Sequence, residues 1–577
     1  MFSQYFQQEL ASLRDLAKEF AKAYPSLAPM LEGPSSDPDV ERVLEGVAFL
    51  TGMLREKLDD EFPEIVQGLM QLVFPHYLRP IPSATIVSFA PKISMKQSQT
   101  IPAGVKLASQ PIDGTQCTFS TCFDVEAHPL KLTNAVYEQQ PGRPPSIVLS
   151  FELIGLDLSS WDLSRLRLHL GGGYPEAANI YQMLMRNLKS IRFAPAEGGR
   201  ELVLPPDRLQ PVGFGQDEAM LPYPAHAFPG YRILQEFFIL PQKFLFLDIL
   251  GWEQWRNRGD DSEFKIHFEL DEPPASPPKI SRDNFVLFAT PAVNVFKHEA
   301  DPISLDHKRN DYTVRPSGQT PSHYQIYSVD RVSGYRQGTV EPRQYDKFEM
   351  FEVKSKDRPT YHVAFRKSPL GNLMEARLSF TYPRDGGEPV TETLTVDITC
   401  TNGELAEKVQ VGDLSKPTST SPDLLEFRNI RTATASVLPP LGKTLQWQFL
   451  ALYSLNFLSL AETENVKSLL KLYIFTDSRD QATTYANTRR VEGIEEVRIK
   501  PEDRLVKGHL MRGQEIKMKM RSDHFASDGD LFLFGSVLDR FFASYSSITS
   551  FTTFKVEETL KGDVYKWQAR IGDRPLI

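Results

Sequence analysis

The residues able to move protons, bind metals or attack carbonyls are scattered along this chain rather than grouped. It has 11 histidines, and the closest two in sequence, His298 and His307, are nine residues apart. A zinc site on a helix or knuckle needs ligands within a few positions of each other, and neither spacing occurs, so no metal is expected. The three cysteines are Cys117, Cys122 and Cys400. Five residues of extended chain carry Cys117 and Cys122 roughly 16 Å apart and onto opposite faces, which excludes a disulfide between them. Sparse thiols in odd number fit a reducing compartment.

Phosphate and nucleotide loops fail on inspection. Leu441-Gly442-Lys443-Thr444 imitates the end of a phosphate-binding loop, but Val437 stands where its first glycine belongs and Pro439-Pro440 stiffens the cradle. Gly213-Phe214-Gly215 is followed by Glu218 where a dinucleotide loop needs its third glycine. Gly171-Gly172-Gly173 reads as a turn before a helix. No Gly-x-Ser-x-Gly elbow is present. Carboxylate runs such as Asp59-Asp60-Glu61 read as a solvated helix face, since 74 acidic residues make some clustering inevitable. No catalytic residue and no cofactor is expected.

A chain of 577 residues is too long for one core. Its 43 prolines, more than its 34 glycines, imply many short elements joined by stiff loops. A net charge of −9 leaves little to neutralise phosphates, which argues against nucleic acid or anionic lipid as main partner. The N-terminus lacks a basic stretch followed by an apolar run, so a cytosolic chain is expected. Thr444–Ala461 runs 18 residues without a charge, yet Gln446, Gln448 and Asn456 would need partners in hydrocarbon. A buried helix of a soluble protein is the better reading.

The first 24 residues read as a helix with one apolar stripe, Phe2, Phe6, Leu10, Leu13, Ala17, Phe20 and Tyr24, stopped by Pro25. That stripe covers either the chain's own core or a bundle shared with another chain; periodicity does not separate the two. A second helix starts at Asp37-Pro38-Asp39, with Asp37 as cap and Pro38 at the first turn. Its stripe is Val40, Val43, Val47, Leu50, Leu54 and Leu58. A shorter helix spans 64–74, and Leu78–Pro82 is a stiff linker.

Beyond it the apolar period becomes two. Strands are expected at Arg165–Leu170, Lys265–Leu270, Ala376–Phe380, Thr393–Ile398 and Ile516–Met520, each with one wet face as in antiparallel sheets. Helices are expected around 174–187, 444–470 and 531–546. Phe228–Phe246, dense in Phe, Tyr, Leu and Pro, reads as core strand-and-turn, with Arg232 and Glu236 able to pair if helical. The class is α+β: an N-terminal helical segment followed by several β-rich domains with antiparallel or mixed sheets. The expected divisions are 1–82, 83–270, 271–401 and 402–577.

Specific wording recurs along the chain. It includes Tyr5-Phe6-Gln7-Gln8-Glu9-Leu10, Lys57–Pro63 and Phe74-Pro75-His76-Tyr77-Leu78-Arg79-Pro80. The centre carries Leu221-Pro222-Tyr223-Pro224 and Phe228-Pro229-Gly230-Tyr231-Arg232-Ile233-Leu234-Gln235-Glu236-Phe237-Phe238. Thr290–Phe296, Ser454–Leu460 and Leu533–Phe542 follow. In this wording and its order the whole chain resembles the TssF family, also called VasA or ImpG, of the bacterial type VI secretion system. Phe237, Gly403 and Thr549 depart from the usual Tyr, Arg and Asn.

The resemblance implies a structural wedge component of the cytoplasmic baseplate and no enzyme. Its implied partners are TssG together with a second TssF copy, TssK, TssE and the VgrG hub. Sheath proteins and the inner-membrane-anchored complex would be met indirectly. It also tips the helical stripes toward a shared bundle, with Phe2, Phe6, Leu10, Leu13, Ala17, Phe20, Val40, Val47, Leu54 and Leu58 as candidate partner-interface residues. Burying that surface between chains would contribute roughly 25 cal/mol per Å² before the ordering cost.

Overall fold

Residues that alternate apolar and polar can bury one face of a sheet and wet the other, and most of this molecule is built that way. The computed structural model describes residues 6–7, 9–14, 16–17, 39, 42–53, 70, 75–223, 228–274, 278–318, 320–336, 338, 341–348, 358–367, 374–382, 390–439, 462–475, 479–506, 509–545, 550–572 and 574–575. The chain divides into two compact units, Met1–Phe74 with Leu441–Leu450, and Pro75–Pro440 with Ala451–Ile577.

In the first unit the described residues are helical: α1 at residues 6–7, 9–14 and 16–17, and α2 at 42–53. The expected helix at 64–74 and the segment Thr444–Ala461 lie, almost entirely, outside the described residues.

The second unit is α+β and dominated by strand, as the alternation implies. A six-stranded sheet runs in the order Leu414–Lys416, Lys106–Ile112, Thr115–Thr121, Ala289–Val293, Ala84–Pro91, Leu425–Asn429. Strands far apart in sequence meet here, with Phe89 opposite Phe427 and Ile86 opposite Pro291. A five-stranded sheet is centred on Glu263–Leu270, and a four-stranded sheet pairs Phe246–Leu250 with Arg165–Leu170. An eight-stranded sheet from Phe296 to Thr401 closes over its own core, which includes Val332, Leu378, Leu394 and Ile398. All five expected strands are present. Cys117, Cys122 and Cys400 are buried free thiols, and burial pushes Cys117 up to about 11 and Cys400 up to about 12.

Among its described residues, this unit has five α-helices: α3 (Tyr174–Arg186), α4 (Pro229–Ile239), α5 (Thr463–Lys471), α6 (Gln481–Glu492) and α7 (Asp528–Ser544). α7 is the crossover between His509–Met520 and Ser550–Glu558, which run parallel; a parallel pair cannot be closed by a tight turn. Its start lies against α3 at Gly529, where a Cβ would overlap the Ala178–Asn179 backbone. Buried Asp530 gathers the helices. It accepts from Tyr174 Oη at 2.6 Å and from Arg490 Nε at 3.0 Å, while Asn487 Nδ2 donates to the Phe238 carbonyl at 3.0 Å.

α4 is buried nearly all round, and two of its charged residues go into the core with it. Glu236 Oε1 accepts from the backbone N–H of Met220 at 2.7 Å and of Leu221 at 3.1 Å. Its Oε2 accepts from Arg232 Nη1 at 3.1 Å and from Lys243 Nζ. Arg232 also donates to the carbonyls of Phe214 and Gly215, and Lys243 to that of Gly213 at 2.7 Å. Glu236 and Lys243 are fully buried and Arg232 is 2% exposed, so these charges depend on one another and on the carbonyls and N–H groups around them rather than on water. Removing one partner of such a set strands the others in a medium that cannot solvate them. Glu236→Gln is therefore expected to destabilise this unit by about 3–5 kcal/mol, read as a fall in the urea midpoint. A loss below about 1 kcal/mol would show the carboxylate to be dispensable.

Candidate protein-protein interface

α2 presents its large apolar residues outward. On a wheel of roughly 100° per residue, Val43, Val47 and Leu50 fall within about 60° of one another. They are 63%, 40% and 61% exposed, and Phe49 and Met53 flank them at 47% and 48%. The opposite arc is Leu44, Ala48, Thr51 and Gly52, of which Ala48 and Gly52 are buried. The small residues are thus the buried side of the helix, and the large ones are left exposed. Contiguous exposed apolar surface is the kind that protein–protein contacts use.

α1 differs. Phe6, Leu10, Leu13 and Ala17 are half-buried along one face, while Gln7, Ala11, Ser12 and Arg14 on the other are exposed. Leu16, off the predicted stripe, is 59% exposed. Of the sequence-predicted interface residues, these four and Val47 are described; Phe2, Phe20, Val40, Leu54 and Leu58 lie outside the described residues. Phe49, Met53 and Leu16 were missed because they fall off a strict stripe, and only an unusually broad apolar arc could have signalled them.

Groups with reactive potential are absorbed by the fold. Gly213 and Gly215 do form an anion cradle, but its anion is internal. Their N–H groups donate to Glu218 Oε2 at 2.7 and 3.0 Å. Gly173 caps α3, as a glycine turn before a helix should. The Leu441–Thr444 imitation lies outside the described residues. Arg232 and Glu236 pair across one helical turn, and the Phe228–Phe246 segment is core as expected. Its main element, however, is a helix and not strand-and-turn, because Tyr231, Leu234, Phe237 and Phe238 are buried on several sides of it.

A cleft of about 230 Å³ opens on the polar face of the five-stranded sheet. Arg192 there donates to Glu269 at 2.8 Å and Glu201 at 3.1 Å, so its charges neutralise one another on a solvated face. Among the described residues no group of three or more His, Cys, Asp or Glu side chains could hold a metal. No described helix is long and apolar enough to cross a membrane.

Three histidines are core residues. Burial pushes His76 and His169 down to about 3 and His128 to about 4, with Arg79 adding to the effect at His76 and Arg431 at His169. An unfolded histidine titrates near 6.5, so between that pH and about 4 the unfolded chain binds protons the folded chain refuses. Stability should be fully present above pH 7 and fall on acidification, by about 1.4 kcal/mol per pH unit for each histidine. Urea unfolding from pH 7 to 4.5 reads this slope, and His169→Gln should make it shallower. An unchanged slope would mean that His169 titrates normally.

A family described as "Type VI secretion system, TssF" matches residues 1–574. The type VI secretion system component TssF1 of Pseudomonas aeruginosa is 30% identical over 99% of this chain and 99% of its own length. Among solved structures, a chain of the TssK-TssF-TssG baseplate subcomplex, determined by cryo-electron microscopy, is 27% identical. It superposes with a TM-score of 0.76, covering 93% of this chain and 100% of that one. A chain of the type VI baseplate complex is 26% identical with a TM-score of 0.62, covering all of both chains.

Proposed function

The chain belongs to the TssF family of type VI secretion system baseplate components, and from that premise we propose that it is a structural wedge subunit of the cytoplasmic baseplate and makes or breaks no bond itself. The observation that carries this reading is the exposed face of α2, Val43, Val47 and Leu50 with Phe49 and Met53. The nearest occupants are TssG and a second copy of this chain, joined in a helical bundle to which the half-buried stripe of α1 also contributes. TssK, TssE and the VgrG hub complete the wedge, on which sheath and tube assemble. Sheath and membrane complex are met indirectly.

Energetics support such a division of labour. Fully burying a Val, Leu, Phe or Met contributes about 1.5–3 kcal/mol. Five residues at roughly half exposure therefore offer on the order of 5 kcal/mol before the cost of association. That is enough to decide whether a complex forms, and too little to unfold a unit of this size when left uncovered. The ion clusters of the second unit suit a body that holds geometry until the sheath is released, a change of packing rather than of covalent structure.

Co-expression with TssG followed by size-exclusion chromatography tests the reading. The wild-type chain is expected to co-elute with TssG. Val47→Asp with Leu50→Asp should abolish co-elution while circular dichroism and the urea midpoint stay within error, because both positions are already exposed. Leu13→Asp with Phe20→Asp should weaken the complex too. A double variant of α2 that co-elutes as the wild type does would contradict the assignment.

A further inference from the structure

Every described strand between Phe296 and Thr401 belongs to the eight-stranded sheet, while the strands before and after it, Ala289–Val293 and Leu414–Lys416, belong to the six-stranded one. The eight-stranded module is thus an insertion, entered at Asn294-Val295 and left at Asn402. Two short crossings between bodies with separate hydrophobic clusters are by themselves a hinge, because a few backbone dihedrals can absorb a rotation there. Here the crossings are tied to each other. The Asn402 N–H donates to Asn294 Oδ1 at 2.6 Å, and Asn294 Nδ2 donates to Asn402 Oδ1 at 2.8 Å. Thr118 of the six-stranded sheet holds both: its carbonyl accepts from Asn294 Nδ2 at 2.8 Å, and its N–H donates to Asn402 Oδ1 at 3.2 Å. Asn402 Nδ2 reaches into the module and donates to the His323 carbonyl at 3.2 Å. Both asparagines are buried, so water does not compete for these bonds.

A second tie comes from a bulge. Along Gln325–Tyr335 the register against Glu392–Thr401 pairs Ile326 with Cys400 and then Ser328 with Thr399, which leaves Tyr327 as an extra residue. Such a bulge re-aims a side chain. Ile326 and Val329, on either side, belong to the module's own core. Tyr327 instead belongs to the cluster of Ile86, Phe123, Phe246 and Val293, built by the six- and four-stranded sheets, and it is buried there. The Arg79 guanidinium lies 5.3 Å from its ring centre and donates to the Pro222 carbonyl at 3.2 Å. A ring from one body is thus seated as a peg in the core of the other.

We infer that Tyr327 and the Asn294–Asn402 pair form a latch that locks the 296–401 module at one angle to the rest of its unit. Burial of the aromatic ring supplies the hold, and the reciprocal asparagine bonds, which tolerate little change of direction, supply the angle. Gln325 stands at the joint, opposite Thr401, and Tyr335 ends the same strand roughly 30 Å away. That far end, where Tyr335 is 43% exposed, is therefore presented in one fixed direction. The latch lies apart from α2 and acts whichever partner α2 meets.

The test is a distance distribution measured by double electron–electron resonance in the full chain. One spin label is placed at Ile93→Cys, an exposed position just after Ala84–Pro91 of the six-stranded sheet, and the other at Tyr335→Cys; the native cysteines are buried. With the latch intact, one narrow distance is expected. Tyr327→Ala and, separately, Asn402→Ala should each at least double its width. Amide exchange over Thr393–Ile398 should stay as slow as before in both variants, which shows a module loosened and not unfolded. A broad distribution with the latch intact overturns the inference, and so does a narrow one in either alanine variant. Exchange over Thr393–Ile398 that quickens in either variant would assign the substituted residue to the module's own stability and overturn the latch as well.

Discussion

The carboxylate of Glu236 is the constraint around which the larger unit is arranged. A fully buried carboxylate is tolerable only when donors surround it, and it has four: two backbone N–H groups, a guanidinium and an ammonium. Those donors come from three places in the chain: the loop 213–221, α4 itself and the turn after it. Moving any of them leaves a charge without a counterpart. The carbonyls of residues 213–215 accept from the remaining donor positions of Arg232 and Lys243, so the loop is bound by both its N–H and C=O groups. Asp530 plays a similar part where α3, α6 and α7 meet. Such sets fix a unique arrangement more than they add net stability.

That rigidity explains how a baseplate subunit comes to have a demanding internal structure. Loops that would carry a phosphate or a nucleophile in an enzyme here carry internal ties: the glycine cradle holds Glu218, and the sheet-face cleft holds its own ion pairs. On α2, several large apolar side chains stand exposed close together.

Period-two alternation made the half-buried strands legible, and Arg165–Leu170 or Thr393–Ile398 could be read directly. α3 and α7 were legible from their apolar faces and, for α3, from the glycines before it. α4 was not, because a segment apolar on nearly every side has no amphipathic signal, and helix and core strand then look alike. The same ambiguity hid the Arg232–Glu236 pair, whose spacing is meaningful only on a helix. Nor could the return of Leu425–Asn429 to lie beside Ala84–Pro91 be read, since pairing over such a separation leaves no local trace. For the candidate interface, periodicity located Val43, Val47 and Leu50 but could not say which side of α2 is buried. Exposure decided that: the small residues Ala48 and Gly52 face inward.

The most direct measurement of the central claim is thiol accessibility at the α2 face. The three native cysteines are buried with burial-raised thiols, so a Val47→Cys chain carries one reactive thiol on a quiet background. Position 47 should alkylate rapidly in the isolated chain and be protected at least tenfold once the chain is bound to TssG. Equal alkylation with and without the bound partner would show that this face stays open to water in the complex, and the claim that it is where the chain is held would be wrong.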